Sequence, residues 1–218
     1  MTEAQWLACA EPERMLEFLR GKARERKLRL LACACCRRVA HLLSDPEFLR
    51  SVEIGELYAD KQAKVEDCRR AHQIAYEGRR NNIDLAVAWA TMVTKKGGYS
   101  VGCVGYVAEN SCRLGGQWIS GRALDAPQLR EQAEQVALVR DIFGNPFHPV
   151  TFSPAWRTDT AVSLAKQMYE SREFSAMPIL ADALQDAGCD NDDILNHCRG
   201  DGPHVRGCWV VDLVLGKE

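Results

Sequence analysis

The hydrophobic pattern along the chain is that of amphipathic helices. Apolar side chains recur at alternating intervals of three and four residues, which places them on one face of an α-helix. The clearest stripe consists of Leu28, Leu31, Ala32, Cys35, Val39, Leu42 and Leu43. We expect this helix to end near Ser44-Asp45-Pro46, because Ser or Asp followed by Pro is typical of the start of a helix.

The same spacing predicts helices through the rest of the N-terminal half and beyond the centre. Two short helices open the chain, the first capped by Thr2 and the second beginning near Pro12. Segments 64–80 and 83–95 are also helical in pattern. A longer helix, "QLREQAEQVALVRDIF", follows the centre, and we expect it to stop at Gly144.

The C-terminal quarter predicts three further elements. The segments "AVSLAKQMYESR" and "MPILADALQDAGC" form a helical hairpin. A short helix from Asp190 to Arg199 follows, with Asp190 as its N-cap. The last segment, "VRGCWVVDLVL", is apolar almost all round, so its pattern fits a helix or a strand, and we favour a buried helix.

A Gly-rich stretch divides the helical pattern. Residues 95–121 read "KKGGYSVGCVGYVAENSCRLGGQWISG", and this Gly content disfavours regular helix. The sequence therefore predicts a mainly α, helical bundle-like domain with a Gly-rich central insertion. Its parts are an N-terminal helical part, 1–95, an insertion or linker, 96–122, and a C-terminal helical part, 123–218, packed with the first as one domain.

Composition and charge exclude some classes of function and leave others open. The formal net charge of −2 over 218 residues gives no global electrostatic reason for binding nucleic acid or an anionic membrane. The N-terminus lacks a basic start followed by an apolar run, and no apolar stretch has the length of a membrane span. We therefore expect a cytoplasmic protein with no membrane association, whose ten cysteines are thiols, metal ligands or core residues rather than disulfides.

The segment "HCRGDGPHVRGCW", residues 197–209, holds the strongest candidate chemistry. Zinc takes four thiolate or imidazole ligands, and the turn at 200–203 can fold two ligand pairs together. We predict a structural zinc site formed by Cys189, Cys198, His204 and Cys208. The alternative is a packing role, in which Cys189 and Cys208 fill the core, His204 caps the last helix and His197 faces solvent.

Two further interpretations concern thiols. His204 and Cys208 are four residues apart, so a helix would bring them together as an activated nucleophile, although the apolar neighbours of Cys208 predict burial and a raised thiol pKa. The second Cys-rich segment, "CACCRR", places Cys35 on the buried stripe, and we expect a core role for these cysteines.

A basic run follows the second helix. It includes Arg24 and Lys27, and Arg37 and Arg38 come one to two turns beyond its end. Such a patch could neutralise phosphates of a nucleic acid, and the alternative is a solvated helix face that keeps the surface soluble.

Asp212 lies inside the apolar segment "WVVDLVL". A buried, unpaired carboxylate is costly, so we predict a structural ion pair with Arg37, Arg38 or Arg206.

Both ends of the chain resemble one family. The stretches "EAQWLACAEPERMLEFLRGKARERKLRLLACACCRR", "GNPFHPVTFSPAWR" and "ILADALQDAGCDNDDILNHCRGDGPHVRGCWVVDLVLGKE" are similar to those of an uncharacterised family of bacterial proteins. This resemblance implies membership but carries over no activity and no catalytic residue.

The sequence favours a non-enzymatic helical binding or adaptor module with a structural zinc, although it does not decide whether the protein is an enzyme. Its expected partner is another protein or a second copy of the chain. The alternatives are a metal-dependent enzyme that uses the C-terminal Cys/His cluster and a nucleic-acid-binding accessory protein that uses the stretch from Arg20 to Arg38.

Overall fold

The computed structural model describes residues 1–93, 102, 105, 107–109 and 125–217. Every regular element in these ranges is helical, which confirms the predicted mainly α fold. The α-helices are α1 (Glu3–Ala8), α2 (Pro12–Leu19), α3 (Glu25–Arg38), α4 (Glu47–Ala59), α5 (Val65–Gly78), α6 (Asn82–Thr91), α7 (Ala126–Phe143), α8 (Asp159–Ser171), α9 (Met177–Asp186), α10 (Asp192–Arg199) and α11 (Trp209–Leu215). Short 3-10 turns are formed by Ala40–Leu42 and Pro154–Trp156.

The chain divides into two compact units, Met1–Val139 and Arg140–Glu218. Most of the predicted insertion, 96–122, lies outside the described residues. The three-part organisation therefore stays a prediction.

The first unit is built on α3, whose apolar stripe is buried as predicted from Leu28 to Val39. The helix itself ends at Arg38, earlier than the expected stop near Ser44, and a 3-10 turn continues the stripe to Leu42. α3 packs on α4 and α6, and α5 packs on α4 and α6. Gly55 allows the close approach of α3 and α4, because a Cβ there would lie 3.1 Å from Cys33 Sγ.

A buried carboxylate joins the turn after α3 to the start of α6. Asp84 accepts hydrogen bonds from the Ser44 backbone N–H, the Ser44 hydroxyl and the backbone N–H groups of Arg80 and Asn81. Asn81 caps the same helix by accepting from the backbone N–H of Asp84. The two residues satisfy donors that a helix start otherwise leaves unpaired.

The second unit is a four-helix cluster of α8 to α11. Its core is apolar and includes Cys189, Cys198 and Cys208. The last segment is the helix α11, as favoured from its sequence, whereas the N-cap of α10 is Asn191 rather than the predicted Asp190. Arg157 holds the end of α11, donating from Nε to the Val214 carbonyl at 2.9 Å and from Nη2 to the Leu213 carbonyl at 2.7 Å.

Asp212 lies in the first turn of α11 and is buried, as its apolar surroundings predict. Two of its three predicted partners are engaged elsewhere, Arg37 with Glu56 and Arg38 with Glu131. The ion pair stays a prediction, with Arg206 as its remaining candidate.

No helix in the described part of the chain is both long and apolar enough to cross a membrane.

Candidate metal centre

Four side chains of the second unit converge on one point. Asp141, His197, His204 and Cys208 each offer one ligand atom, and these four atoms all lie within 4.8 Å of one another. Among the described residues, no other group of three or more His, Cys, Asp or Glu side chains has such geometry.

Separate elements supply the four groups. Asp141 lies in the last turn of α7, which ends before Gly144, and His197 lies in the last turn of α10. His204 belongs to the loop that follows α10, and Cys208 is the N-cap residue directly before α11. Helix ends and a loop can deliver side chains from different directions, as a compact coordination sphere needs.

The contacts among the donor atoms are short. Asp141 Oδ1 lies 2.9 Å from His204 Nδ1 and 3.2 Å from His197 Nε2. The same His197 Nε2 lies 3.2 Å from Cys208 Sγ. At zinc-to-ligand lengths of about 2.0–2.3 Å, tetrahedral ligand atoms are about 3.3–3.8 Å apart, so small side-chain rotations would fit this group to an ion.

Asp141 organises the site. Its second oxygen, Oδ2, accepts a hydrogen bond from the backbone N–H of Val205 at 3.0 Å, which anchors the loop. Burial pushes the pKa of Asp141 upward, but the hydrogen bonds and positive charge of His197 and His204 outweigh burial and hold the pKa below its ordinary value. The carboxylate therefore remains ionised in an interior position.

Cys208 is fully buried and is a protonated thiol in the metal-free protein. Burial raises its pKa well above the ordinary value, and the charge of Asp141 acts in the same direction, while the backbone N–H groups of Val211 and Val210 oppose the shift. A bound divalent cation reverses this balance, because a coordinating thiol is deprotonated outright.

The geometry does not favour Cys208 as a nucleophile. In a Cys–His–Asp arrangement one imidazole nitrogen contacts the thiol while the other contacts the carboxylate. Here a single atom, His197 Nε2, contacts both Cys208 and Asp141. Several donor atoms directed at one point are typical of a metal site. The imidazole that contacts Cys208 Sγ is that of His197, so the predicted nucleophile formed by His204 and Cys208 gains no support.

The structure brings together two of the four predicted zinc ligands, His204 and Cys208. Cys189 and Cys198 are buried in the core of the same unit and are not members of the converging group. Burial raises the pKa of the Cys198 thiol to about 12, with the charge of Cys189 adding to the effect. Asp141 and His197, instead of Cys189 and Cys198, complete the converging group.

Sequence reasoning missed Asp141 because it belongs to another element, far from the Cys/His cluster along the chain. Its one signal was a carboxylate beside two apolar residues in the last turn of a helix that ends just before Gly144. His197 belongs to the segment 197–209, but the packing alternative expects it to face solvent, whereas its side chain is only 19% exposed.

Charge neutralisation weakens the basic-face hypothesis. Arg37 donates to both oxygens of buried Glu56, and Arg38 pairs with Glu131 and Glu134. Of the four predicted phosphate contacts, Arg24 is exposed and Lys27 is half-buried. The hypothesis stays a prediction, but two of its charges are balanced within the protein.

In comparisons with known proteins, no protein-family model, no curated protein and no solved structure matches this chain. The resemblance of both chain ends to a bacterial family stays a prediction.

Proposed function

We propose that the unit Arg140–Glu218 is a structural zinc module, and that the protein is a non-enzymatic helical binding or adaptor protein built on it. The observation that carries the proposal is the convergence of Asp141, His197, His204 and Cys208 on one point. Asp141 is far along the chain from the other three donors, so an ion among them would tie the end of α7 to the segment that runs from the end of α10 to the start of α11.

The donor set favours zinc over other common cations. A thiolate and two imidazoles are ligands of soft or borderline ions, whereas Mg²⁺ and Ca²⁺ take oxygen ligands in sixfold or higher coordination. Four side chains match the tetrahedral preference of Zn²⁺.

A closed site supports a structural role over a catalytic one. Catalytic zinc keeps a position open for water or substrate, while structural zinc takes four protein ligands. Cys208 and Asp141 are buried. Asp141 Oδ2 already accepts a hydrogen bond from the Val205 N–H, so the carboxylate has one oxygen, Oδ1, to offer to an ion. With four donors around one ion, the metal-dependent enzyme becomes the weaker alternative.

Metal analysis tests the proposal. Tag-free protein is purified without added metal and its metal content measured, with an expected value of about one zinc per chain. Cobalt-substituted protein should give the intense visible bands of a tetrahedral site and a thiolate charge-transfer band. The variants Asp141→Asn, His197→Ala, His204→Ala and Cys208→Ser should each lose zinc.

Two matched variants serve as controls. Cys198→Ala removes a buried cysteine of the same unit, and His148→Gln removes an exposed histidine outside the group. Both should keep one zinc. A wild-type protein that neither contains zinc nor takes it up tightly would contradict the proposal, as would loss of zinc in Cys198→Ala with retention in Asp141→Asn.

A further inference from the structure

The imidazole of His197 is the most exposed of the four donors and contacts two aromatic rings. Its side chain is 19% exposed, against 7% for His204 and 3% for Asp141. The ring centroid of His204 lies 4.9 Å from that of His197 with the planes at 72°, and that of Trp209 lies 5.1 Å away with the planes at 55°. Any loss of the ion to solvent therefore begins most easily at His197.

Trp209 is brought next to His197 by the chain that follows a ligand. It is the residue after Cys208 and the first of α11, so its backbone is fixed by the same helix start that positions the thiol. Its indole also lies against Gly144, at the end of the helix that carries Asp141.

Gly144 leaves the room that the indole occupies. Its φ of +64° is a left-handed conformation that favours glycine, and a Cβ at this position would lie 3.2 Å from Trp209 Cγ. A side chain at 144 would push against the rigid indole itself, because its three closest contacts are all ring atoms of Trp209.

We propose that Trp209 is a positioning residue of the metal centre: its indole, seated on Gly144, holds His197 in the coordinating orientation and slows the release of the ion to solvent. This inference rests on the proposed zinc site and adds to it the residues that govern metal retention. Groups behind metal ligands commonly change affinity by about 10–100-fold when they are removed.

The test measures how fast zinc-loaded full-length protein loses its metal to a chromogenic chelator. Trp209→Leu should release zinc about 10-fold faster than wild type or more, and Trp209→Phe should restore most of the retention because an aromatic ring still faces His197. The cobalt spectrum of Trp209→Leu should change in the ligand-field bands, a readout that a merely structural role would not move.

Each variant has a matched control in the same unit. Trp156→Leu removes another half-buried tryptophan, one that packs edge-on against Phe152. Gly216→Ala meets the same left-handed strain as Gly144→Ala, at φ +65° against +64°, but its nearest outside atom, Arg157 Nη2, is 3.7 Å away. We expect Gly144→Ala, and not Gly216→Ala, to accelerate zinc release.

The outcomes separate the two proposals. If wild-type protein holds zinc and Trp209→Leu releases it no faster than Trp156→Leu, the positioning role is wrong and the zinc site stands. If wild-type protein holds no zinc, the proposed function fails and the positioning role fails with it.

Discussion

At the scale of single residues, burial governs the chemistry of the cysteines. Cys33, Cys35, Cys36 and Cys68 of the first unit are buried, and Cys9 is half-exposed. Burial raises the pKa of the Cys68 thiol to about 11, with Asp67 and Glu25 acting in the same direction against Arg29. Burial also raises the pKa of Cys36 well above its ordinary value. Since the thiolate is the reactive form, both position and protonation make these thiols inert.

We therefore expect native-state alkylation to discriminate sharply among the described cysteines of the first unit. Iodoacetamide in mildly alkaline buffer should modify Cys9 and leave Cys36 and Cys68 unmodified, as read by peptide mass mapping. A raised pKa means that less of the thiol is thiolate at any pH below it. Raising the pH within the range in which the protein is stable should therefore not make Cys68 react. Modification of Cys36 or Cys68 before unfolding would contradict this, and denatured protein, in which all cysteines should react, is the control.

The buried carboxylate of Asp84 makes a second residue-scale prediction. Asp84→Ala leaves the backbone N–H groups of Ser44, Arg80 and Asn81 without their acceptor. Hydrogen bonds to a charged acceptor contribute about 1.5–3 kcal/mol each, so the free energy of unfolding should fall by about 3 kcal/mol or more.

Chemical denaturation measures the loss, and two variants calibrate it. Ser44→Ala removes only the hydroxyl bond and should cost about 1 kcal/mol. Asp182→Asn alters an exposed pair with Arg199 and should change the free energy of unfolding little. Equal effects of Asp84→Ala and Asp182→Asn would show that the buried network is not what stabilises the start of α6.

At the scale of elements, helix ends determine where side chains lie. The end of α4 has a strained backbone. The Gln62 N–H donates to the Leu57 carbonyl and the Lys61 N–H to the Tyr58 carbonyl, the two bonds of a Schellman motif. Its left-handed position holds Lys61, at φ +61°, where glycine is preferred.

Lys61→Gly should therefore stabilise the protein. Relief of the left-handed conformation is worth about 1 kcal/mol, reduced by the greater freedom of glycine in the unfolded chain, so we expect a gain of about 0.5 kcal/mol in the free energy of unfolding. Lys61→Ala keeps the strain and removes the same exposed side chain, so it should give no gain. Equal stability of the two variants, measured by urea denaturation, would assign any effect to the lysine side chain instead.

The presence of each helix was more predictable from the sequence than the residues at which it begins and ends. Periodicity locates α3 because its stripe is buried in one unit. The helix nevertheless stops before the stripe does, since Val39 is buried at the C-cap of α3 and the 3-10 turn that follows partly buries Leu42. The end of α7 at Gly144 was predictable because a left-handed stop favours glycine. The cap of α10 was misplaced by one residue, since Asp190 and Asn191 both have capping side chains and only the fold selects Asn191.

At the scale of the whole molecule, the fold class follows from local pattern, but the metal centre does not. The apolar stripes are repeated along the chain, so their sum predicts a helical protein whatever the tertiary arrangement. Convergence of Asp141 with His197 depends on how α7 ends beside α10, and no local spacing encodes it. His204 and Cys208 were within reach of sequence reasoning because they share one loop.

The two compact units should respond differently to metal removal. In a structural site the binding free energy of the ion is folding free energy, so chelation should loosen the backbone that the ligands join. We expect hydrogen exchange of full-length protein, followed by mass spectrometry, to accelerate on chelation in α10, the loop to Cys208 and α11. Exchange in α4 to α6 should be unchanged, because these helices belong to the other unit and contain none of the four ligands.

Cys208→Ser should already show the fast pattern without chelator, and re-addition of zinc should reverse it only in the wild type. Protection that is lost equally in both units would contradict a local structural role for the ion, and protection unchanged everywhere would mean that the site does not stabilise the second unit.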